Sequence, residues 1–183
     1  LAESWDITTD QKQFKFNLRK GVQFHSGREF TSDDVKYTIT RLLDAAIGSA
    51  HFNTFAKWFS APSGTIDTPD KYTVILKSDQ PRPITMEFLE RLMIIDRDIY
   101  KDSPVANTKA SGTGPFKLAE YVPSDHLTLV KHPGYWQSGR PYLDGITTKF
   151  YADTQAMAVA LSSGALDYVM NPVPRDVIAI TKD

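Results

Sequence analysis

The chain has 183 residues, of which 41% are hydrophobic and 23% charged, a composition typical of a globular protein rather than a disordered one. Its formal net charge of −1 leaves no excess of basic residues to neutralise phosphates, so we exclude nucleic acid as a partner. The lack of cysteine excludes disulfides, thiolate zinc sites and cysteine nucleophiles, and no apolar run approaches the roughly 20 residues of a membrane-spanning helix.

The first residues predict a β-hairpin. Trp5 and Ile7 precede a polar turn, and Phe14, Phe16 and Leu18 follow it. Large apolar residues at every second position are typical of strands with one buried face and one face in water.

A helix is predicted over residues 32–46. Thr31 and Asp34 have the spacing of a capping box, and acidic residues in a first turn complement the helix dipole. The neighbouring carboxylates of Asp33 and Asp34 are therefore interpreted as part of the helix terminus rather than as acid–base machinery.

The middle of the chain combines an aromatic cluster, a strand pair and a second helix. The aromatic residues of segment 48–59 either line a ligand site or cap a core, and the sequence leaves both open. Strands are predicted at 64–66 and 72–76, joined by a turn at Pro69 and Asp70. The buried face of the second helix is predicted to comprise Ile84, Phe88, Leu92 and Ile95.

Two groups of side chains near that helix have simple structural interpretations. Met86 and Met93 are interpreted as core filler. The carboxylates of Asp96, Asp98 and Asp102 suggest a cation site by spacing, but the segment lacks the glycine and final glutamate of a calcium loop, so a solvated face is favoured.

The central hairpin begins at Gly112 and Gly114 and has predicted strands at 117–122 and 127–131. Glycine-rich loops that lead into helices bind phosphates through backbone N–H groups. Here Pro115 removes one N–H group and a strand follows, so the start of a strand is favoured over a nucleotide site.

Beyond this hairpin the sequence predicts a strand at 146–151 and then a helix at 154–163. Asp153 is the expected N-cap, and Gly164 is expected to end the helix.

No metal, cofactor or catalytic site is predicted. If one strand joins His126 and His132, the two lie roughly 20 Å apart at about 3.3 Å per residue, and no closely spaced pair remains with His25 or His51. No serine lies in a Gly-x-Ser-x-Gly elbow, although the sequence leaves a Ser-His-Asp arrangement open.

Seven segments between Leu1 and about Asn171 together form a specific ordered set, although each is a weak motif alone. They are LAESW at 1–5, LRKGVQFHSG at 18–27, FTSDDV at 30–35, GTGPF at 112–116, PGYW at 133–136, RPYLD at 140–144 and LSSGALD at 161–167. In this order they resemble the signature run of family 5 extracellular solute-binding proteins, the oligopeptide-, dipeptide- and nickel-binding components of bacterial ABC importers.

The resemblance implies an α/β (mixed α+β) fold of the periplasmic-binding-protein type II kind, in which ligand is held between two lobes joined by a hinge. It implies that this chain is one truncated lobe. Residues 1–44 and 109–171 are expected to form the lobe core and 45–108 an inserted subdomain, with 172–183 leading towards the other lobe. An apolar patch is expected where the missing strands belong.

The implied function is capture of a peptide or similar small solute by a periplasmic or extracellular, membrane-anchored protein, followed by delivery to the membrane subunits of an ABC permease. No bond is broken, and no cofactor is implied. The resemblance implies ligand contacts at His51, Phe52, Arg91, Met93 and Thr113. The alternative that Phe52 and Met93 are core residues and that His51 and Arg91 are surface residues stays open.

Two other functions also stay open. One is a ligand-sensing domain of a regulator with the same fold, and the other is a hydrolase that uses the carboxylates of Glu87 and Glu90. Arg28 and Glu29 depart from the small pair, such as Thr-Pro, that is usual in the family, and this departure is expected to change only a turn.

Overall fold

The structure is a computed structural model that describes residues 1–44, 47, 50–100 and 110–170, excluding the side chains of Ala50 and His51. Its strands are β1 (Ala2–Ile7), β2 (Gln13–Leu18), β3 (Gly64–Asp70), β4 (Thr73–Ser78), β5 (Phe116–Val122), β6 (His126–Lys131) and β7 (Gly145–Lys149). Its helices are α1 (Ser32–Arg41), α2 (Ala50–Trp58), α3 (Thr85–Arg91), α4 (Arg97–Tyr100) and α5 (Thr154–Ser162).

The chain divides into two compact units. The first comprises Leu1–Leu118 and Val130–Asp144, and the second comprises Ala119–Leu129 and Gly145–Asp183. The predicted lobe core and inserted subdomain stay a prediction, and the segment 172–183 lies outside the described residues. Within the described part, no helix has the length and apolar character needed to cross a membrane.

A four-stranded antiparallel sheet in the order β1-β2-β4-β3 is the framework of the first unit. The predicted hairpin of β1 and β2 is confirmed, and Phe14, Phe16 and Leu18 of β2 are buried. Across the ladder Phe14 pairs with Leu76, and Phe16 pairs with Val74. Because side chains alternate along a strand, this register places both apolar pairs on the core face of the sheet.

Helices α2 and α3 complete this core with aromatic side chains. The ring of Phe55 stacks on Phe88 at 5.1 Å between centroids and meets Phe59 edge-on at 5.3 Å, while Phe59 meets Phe14 edge-on at 6.1 Å. Full burial of one phenylalanine side chain contributes about 1.5–3 kcal/mol. The cluster therefore fixes α2 and α3 on the sheet.

The N-terminus of α1 forms the predicted capping box, in which the Thr31 N–H group donates to the Asp34 carboxylate at 2.9 Å. The Asp34 side chain is also completely buried and pairs with the guanidinium of Arg28. The same guanidinium lies 2.7 Å from the buried carboxylate of Asp96. A buried carboxylate needs such a partner, because burial without one carries a large desolvation cost.

This ion network corrects two predictions. The expectation that Asp96 lies on a solvated face is wrong, because its carboxylate accepts hydrogen bonds from Ser26, Arg28 and Ser111 in the interior. The expectation that Arg28 changes only a turn is wrong as well, since its guanidinium joins the start of α1 to Asp96. Burial alone would raise the pKa of Asp96, but the bonds from Ser26 and Arg28 hold that pKa below its ordinary value.

In the second unit the elements form without a buried interior. The second sheet has the order β5-β6-β7, which confirms the predicted central hairpin, and all residues of β7 are exposed. As predicted, Asp153 caps α5 by accepting the Ala156 N–H at 2.7 Å, and Gly164 follows the helix with a φ of +74° that favours glycine. Yet α5 contains no buried residue.

Candidate ligand-binding site

Three of the five predicted ligand contacts lie around one cavity of the first unit. Phe52 of α2, Arg91 at the end of α3 and Met93 beyond it line a cavity of about 240 Å³. Its lining comprises Thr38, Arg41, Leu42, Ile47, Phe52, Arg91, Leu92, Met93 and Ile95. Sequence reasoning missed Thr38 and Arg41, because no local pattern links α1 to the segment that follows α3.

The structure does not bring the other two predicted residues to this cavity. His51 belongs to α2, but its side chain lies outside the described residues. Thr113 is half-buried in the loop before β5 and is not among the residues that line the cavity. Ligand contact by His51 or Thr113 therefore stays a prediction.

The position of Phe52 follows from aromatic packing between α2 and α3. Its ring meets Phe88 edge-on at 6.3 Å between centroids, and Phe88 in turn stacks on Phe55. The aromatic residues of this segment thus divide between the core and the cavity, and a ligand-binding role for the cluster stays a prediction. Phe55 and Phe59 are core residues, whereas the half-buried Phe52 reaches the cavity.

The interpretation of Met93 as core filler is wrong, since its side chain is 77% exposed. Helix α3 ends at Arg91, and Leu92 is extended with φ −81° and ψ 109°. The chain therefore leaves the helical face before Met93, whereas Met86, inside α3, packs against the core as predicted.

The segment after α3 is anchored to α1 through one hydroxyl. The Ile95 N–H donates to Thr38 Oγ1 at 3.2 Å, and the Thr38 hydroxyl donates to the Asp34 carbonyl at 2.7 Å. This hydroxyl therefore holds α1 and the segment after α3, which are far apart in sequence, next to each other in the cavity wall.

Helix α1 is also tied to α2 at its other end. The side-chain amide of Asn53 donates to the carbonyls of Leu42 and Leu43 at 3.1 and 3.0 Å. The last carbonyls of a helix have no partner within it, so an amide from a neighbouring helix satisfies them and fixes its direction. Both walls of the cavity are therefore held by hydrogen bonds as well as by packing.

The described lining residues include two arginines and no aspartate or glutamate. Arg41 lies over the ring of Tyr100 at 5.3 Å, an attraction between a cation and the face of an aromatic ring. Arg91 is exposed and has no hydrogen-bond or ion-pair partner within the described residues. The site can therefore present the Arg91 guanidinium beside an apolar wall.

The loop that carries Thr113 is held by His25. The His25 N–H donates to the Gly112 carbonyl at 2.8 Å, and the ring Nε2 lies 3.0 Å from the Gly114 carbonyl. Because a carbonyl can only accept, Nε2 carries the proton in this contact, and Nδ1 is then free to accept from the Gly112 N–H at 3.4 Å. The start of β5 is thus fixed by a residue far away in sequence.

His25 also packs against the imidazole of His132, so the expectation that no closely spaced histidine pair includes His25 is wrong. The rings of His25 and His132 are 5.1 Å apart between centroids. His132 is buried, and neither of its ring nitrogens has a hydrogen-bond partner within the described residues. Burial, followed by the nearby charges of His25 and Lys117, lowers the pKa of His132 below its ordinary value.

A larger cavity of about 440 Å³ lies elsewhere in the first unit, between the sheet and α3. Apolar side chains line almost all of it, including the exposed Trp5 and the half-buried Met86. Glu90 carries the one charged side chain among its described lining residues, so these residues offer few groups to orient a polar solute. Phe52, Arg91, Met93 and Thr113 are not among its described lining residues.

The geometry gives little support to a hydrolase that uses Glu87 and Glu90, or to a metal site. Glu87 and Glu90 are both exposed on α3. Across residues 1–44, 47, 50–100 and 110–170, no group of three or more histidine, cysteine, aspartate or glutamate side chains is arranged to hold a metal ion.

Solved structures of binding proteins match this fold over the whole chain. The binding protein AgaA from A. tumefaciens R10, in complex with agropinic acid, has a TM-score of 0.88 at 32% identity, and this chain covers 37% of it. The oligopeptide-binding protein AppA from Bacillus subtilis, in complex with a nonapeptide, has a TM-score of 0.86 at 26% identity, with 36% of it covered. These matches confirm the mixed α/β fold of the periplasmic-binding-protein kind.

Sequence comparison identifies the family. The glutathione-binding protein GsiB of Escherichia coli is 30% identical over 98% of this chain, and the di/tripeptide-binding protein 1 of Pseudomonas aeruginosa is 29% identical over 100% of it. The chain spans 35% and 38% of these relatives, respectively. The family model for bacterial extracellular solute-binding proteins, family 5 Middle, matches residues 1–183. The chain therefore belongs to the family 5 extracellular solute-binding proteins, a family of binding proteins rather than of hydrolases.

Proposed function

We propose that this chain contributes one wall of the ligand cleft in the substrate-binding component of an ABC importer. The protein captures a peptide or similar small solute outside the membrane and delivers it to the membrane subunits of the permease. The observation that carries this proposal is the convergence of Phe52, Arg91 and Met93 on one cavity of a family 5 chain.

The cavity suits binding without chemistry. It offers apolar contact area and the guanidinium of Arg91, and the carboxylates of Glu87 and Glu90 lie outside its lining. Binding energy from such a wall favours a closed arrangement of the protein when solute contacts are stronger there than in the open arrangement. The closed arrangement is the one that we propose docks on the permease.

The names of the relatives and of the family support a proposed solute class and a proposed location. Two of them are named for glutathione and for di- and tripeptides, so we propose a peptide or a molecule of similar size. The family is described as extracellular, and we propose a periplasmic or membrane-anchored extracellular protein.

The test is to express the complete reading frame and to identify the co-purifying solute by native mass spectrometry. Affinity for that solute is then measured by titration calorimetry for Met93→Ala and for Met170→Ala. Both methionines are strongly exposed, 77% and 72%, so neither substitution removes core packing, but Met170 does not line the cavity.

We expect Met93→Ala to weaken solute binding by about tenfold, because the apolar contact made by a methionine side chain is worth about 1.5 kcal/mol or more. Met170→Ala should leave the affinity unchanged. Equal affinities for both variants would show that the cavity is not part of the ligand cleft. A folded complete protein that neither retains nor binds any solute would contradict the function itself.

A further inference from the structure

Two histidines from distant parts of the chain meet in the interior beside the loop that leads into β5. The His25 and His132 rings are 5.1 Å apart between centroids and meet edge-on. His132 is only 6% exposed, and Gly134 lies so close to its ring that a Cβ at this position would come within 3.1 Å of Cε1. The His132 ring is therefore confined, with little room to turn towards water.

His25 connects this pair to the loop. Its Nε2 N–H group donates to the Gly114 carbonyl at 3.0 Å, and its Nδ1 accepts from the Gly112 N–H at 3.4 Å. The bond to Nδ1 exists only while the ring is neutral, because a protonated imidazole carries N–H groups on both nitrogens. The backbone N–H of His132 donates to the Pro115 carbonyl at 2.8 Å, so both histidines hold the same loop.

The surroundings of His132 do not stabilise a charged ring. Neither ring nitrogen has a hydrogen-bond partner within the described residues. The charges that act on the ring come from His25 and Lys117, and both are positive when present. The Gln23 backbone favours the protonated form, but its influence is the weakest and it makes no hydrogen bond to the ring. Burial and the two cationic groups prevail, so the pKa of His132 is lowered.

The segments packed around the two rings contain no aspartate or glutamate. These segments are 22–27, 112–116 and 133–136. The buried carboxylate of Asp96 reaches the region through Ser26 and Ser111. Its charge is balanced by Arg28. A proton taken up by the histidine pair therefore has no free counter-charge, and it is accommodated only if the rings separate or gain contact with water.

We propose that His25 and His132 act as a proton-sensitive clamp that positions the loop from Gly112 to Gly114. While both rings are neutral, the clamp holds the loop at the start of β5. Uptake of one proton removes the acceptor of the Gly112 N–H or places an unpaired charge in the interior, and the loop then opens. The loop carries Thr113, so the clamp sets the position of a residue for which ligand contact is predicted. The inference goes beyond the proposed function and does not depend on it.

The test measures the loop by NMR in the complete protein. Exchange of the Gly112, His25 and His132 amide protons, corrected for the intrinsic pH dependence of exchange, reports opening of the loop. The amide protons of β2 report unfolding of the sheet, and imidazole nitrogen shifts report the tautomer and protonation of each ring. His132→Gln removes a titratable ring from the clamp. His126→Gln is the matched control, because His126 lies outside the clamp in the second unit.

We expect the protection of the loop amides to fall roughly tenfold from pH 7.5 to pH 5.0, because preferential binding of one proton by the open form changes the opening equilibrium by at most about tenfold per pH unit. Protection of β2 should not change, and His25 should carry its proton on Nε2 at pH 7.5. His132→Gln should remove most of the pH dependence, whereas His126→Gln should retain all of it. His25→Gln should reduce the pH dependence while its amide still donates to the Gly114 carbonyl.

Each contrary result overturns the clamp. The inference is wrong if protection of the loop does not change with pH, or if it falls in parallel with that of β2, since the acid effect is then global. A proton on Nδ1 of His25 at pH 7.5 would contradict the bonds to the loop. Unchanged pH dependence in His132→Gln would place the sensitive group elsewhere, and if that variant does not fold, His25→Gln decides the same point. Failure of solute capture would count against the proposed function alone.

Discussion

The two compact units obtain their structure in different ways. Every buried hydrophobic side chain among the described residues lies in the first unit, where phenylalanines join the sheet to α2 and α3, and no described residue of the second unit is buried. The second unit still contains a capped helix and paired strands. Hydrogen bonding and capping thus define its elements, whereas the packing that stabilises a fold is concentrated in the first unit.

The sharpest test of this difference compares Phe55→Ala with Val159→Ala. We expect Phe55→Ala to lower the free energy of unfolding by about 3–5 kcal/mol, because Phe55 is fully buried and its loss leaves a cavity. Val159→Ala, on the exposed face of α5, should change that free energy by at most about 0.5 kcal/mol. Urea denaturation of the complete protein measures both, and similar losses would show that α5 is packed after all.

A second test concerns the buried ion network of the first unit. We expect Arg28→Gln to lower the free energy of unfolding by about 3 kcal/mol, because it removes the cation that the buried carboxylates of Asp34 and Asp96 share, and only Asp34 keeps a second cation, Arg97 at 3.8 Å, within the described residues. Lys77→Gln breaks a solvent-exposed pair with Asp67 and should cost less than about 1 kcal/mol. A small effect of Arg28→Gln would mean that the two carboxylates are protonated or hydrated instead.

The two units should also respond oppositely to pH. Burial lowers the pKa of His132 below its ordinary 6.5, so the unfolded chain binds the proton more readily than the folded one. The contribution of the neutral imidazole to the free energy of unfolding is complete above about pH 6.5. This contribution is lost as the pH falls through the folded-state pKa. Denaturation at pH 7.5 and 5.5 should show this acid loss, and His132→Gln should reduce it.

His126 in the second unit gives the smallest expected effect, with the reverse sign. Its ring contacts Asp125 and Glu120 at 2.7 and 3.2 Å, and these hydrogen bonds raise its pKa above 6.5. The stabilisation is complete below about pH 6.5 and is lost as the pH rises through the raised folded-state pKa. Titration by NMR of the imidazole should report the raised pKa and its decrease in Glu120→Gln, and an unchanged pKa in this variant would contradict the contact.

Local chemistry made much of the fold predictable. The capping box at Thr31, the N-cap at Asp153 and the glycine after α5 each depend on residues a few positions apart, and all three are confirmed. The alternation of Phe14 and Phe16 predicted a buried strand face for the same reason. Spacing of this kind is visible in a single sequence.

Distant contacts were not predictable from spacing. The bond from Arg28 to Asp96 joins residues 68 positions apart, and that from His25 to Gly114 joins residues 89 positions apart. The helical face predicted through Leu92 and Ile95 was too long, because α3 ends at Arg91 and the chain then becomes extended. The extended chain after Arg91 also carries Met93 out of the core to the surface at the cavity.

The hydroxyl of Thr38 makes two hydrogen bonds, and these link the cavity to the ion network around Arg28. One bond leads to Asp34, whose carboxylate is held by Arg28, and the other leads to Ile95 in the cavity wall. A disturbance of the salt bridge can thus propagate through a single side chain to the cavity wall. If the cavity binds solute as proposed, loosening of Arg28 would weaken solute affinity without altering any group that lines the cavity.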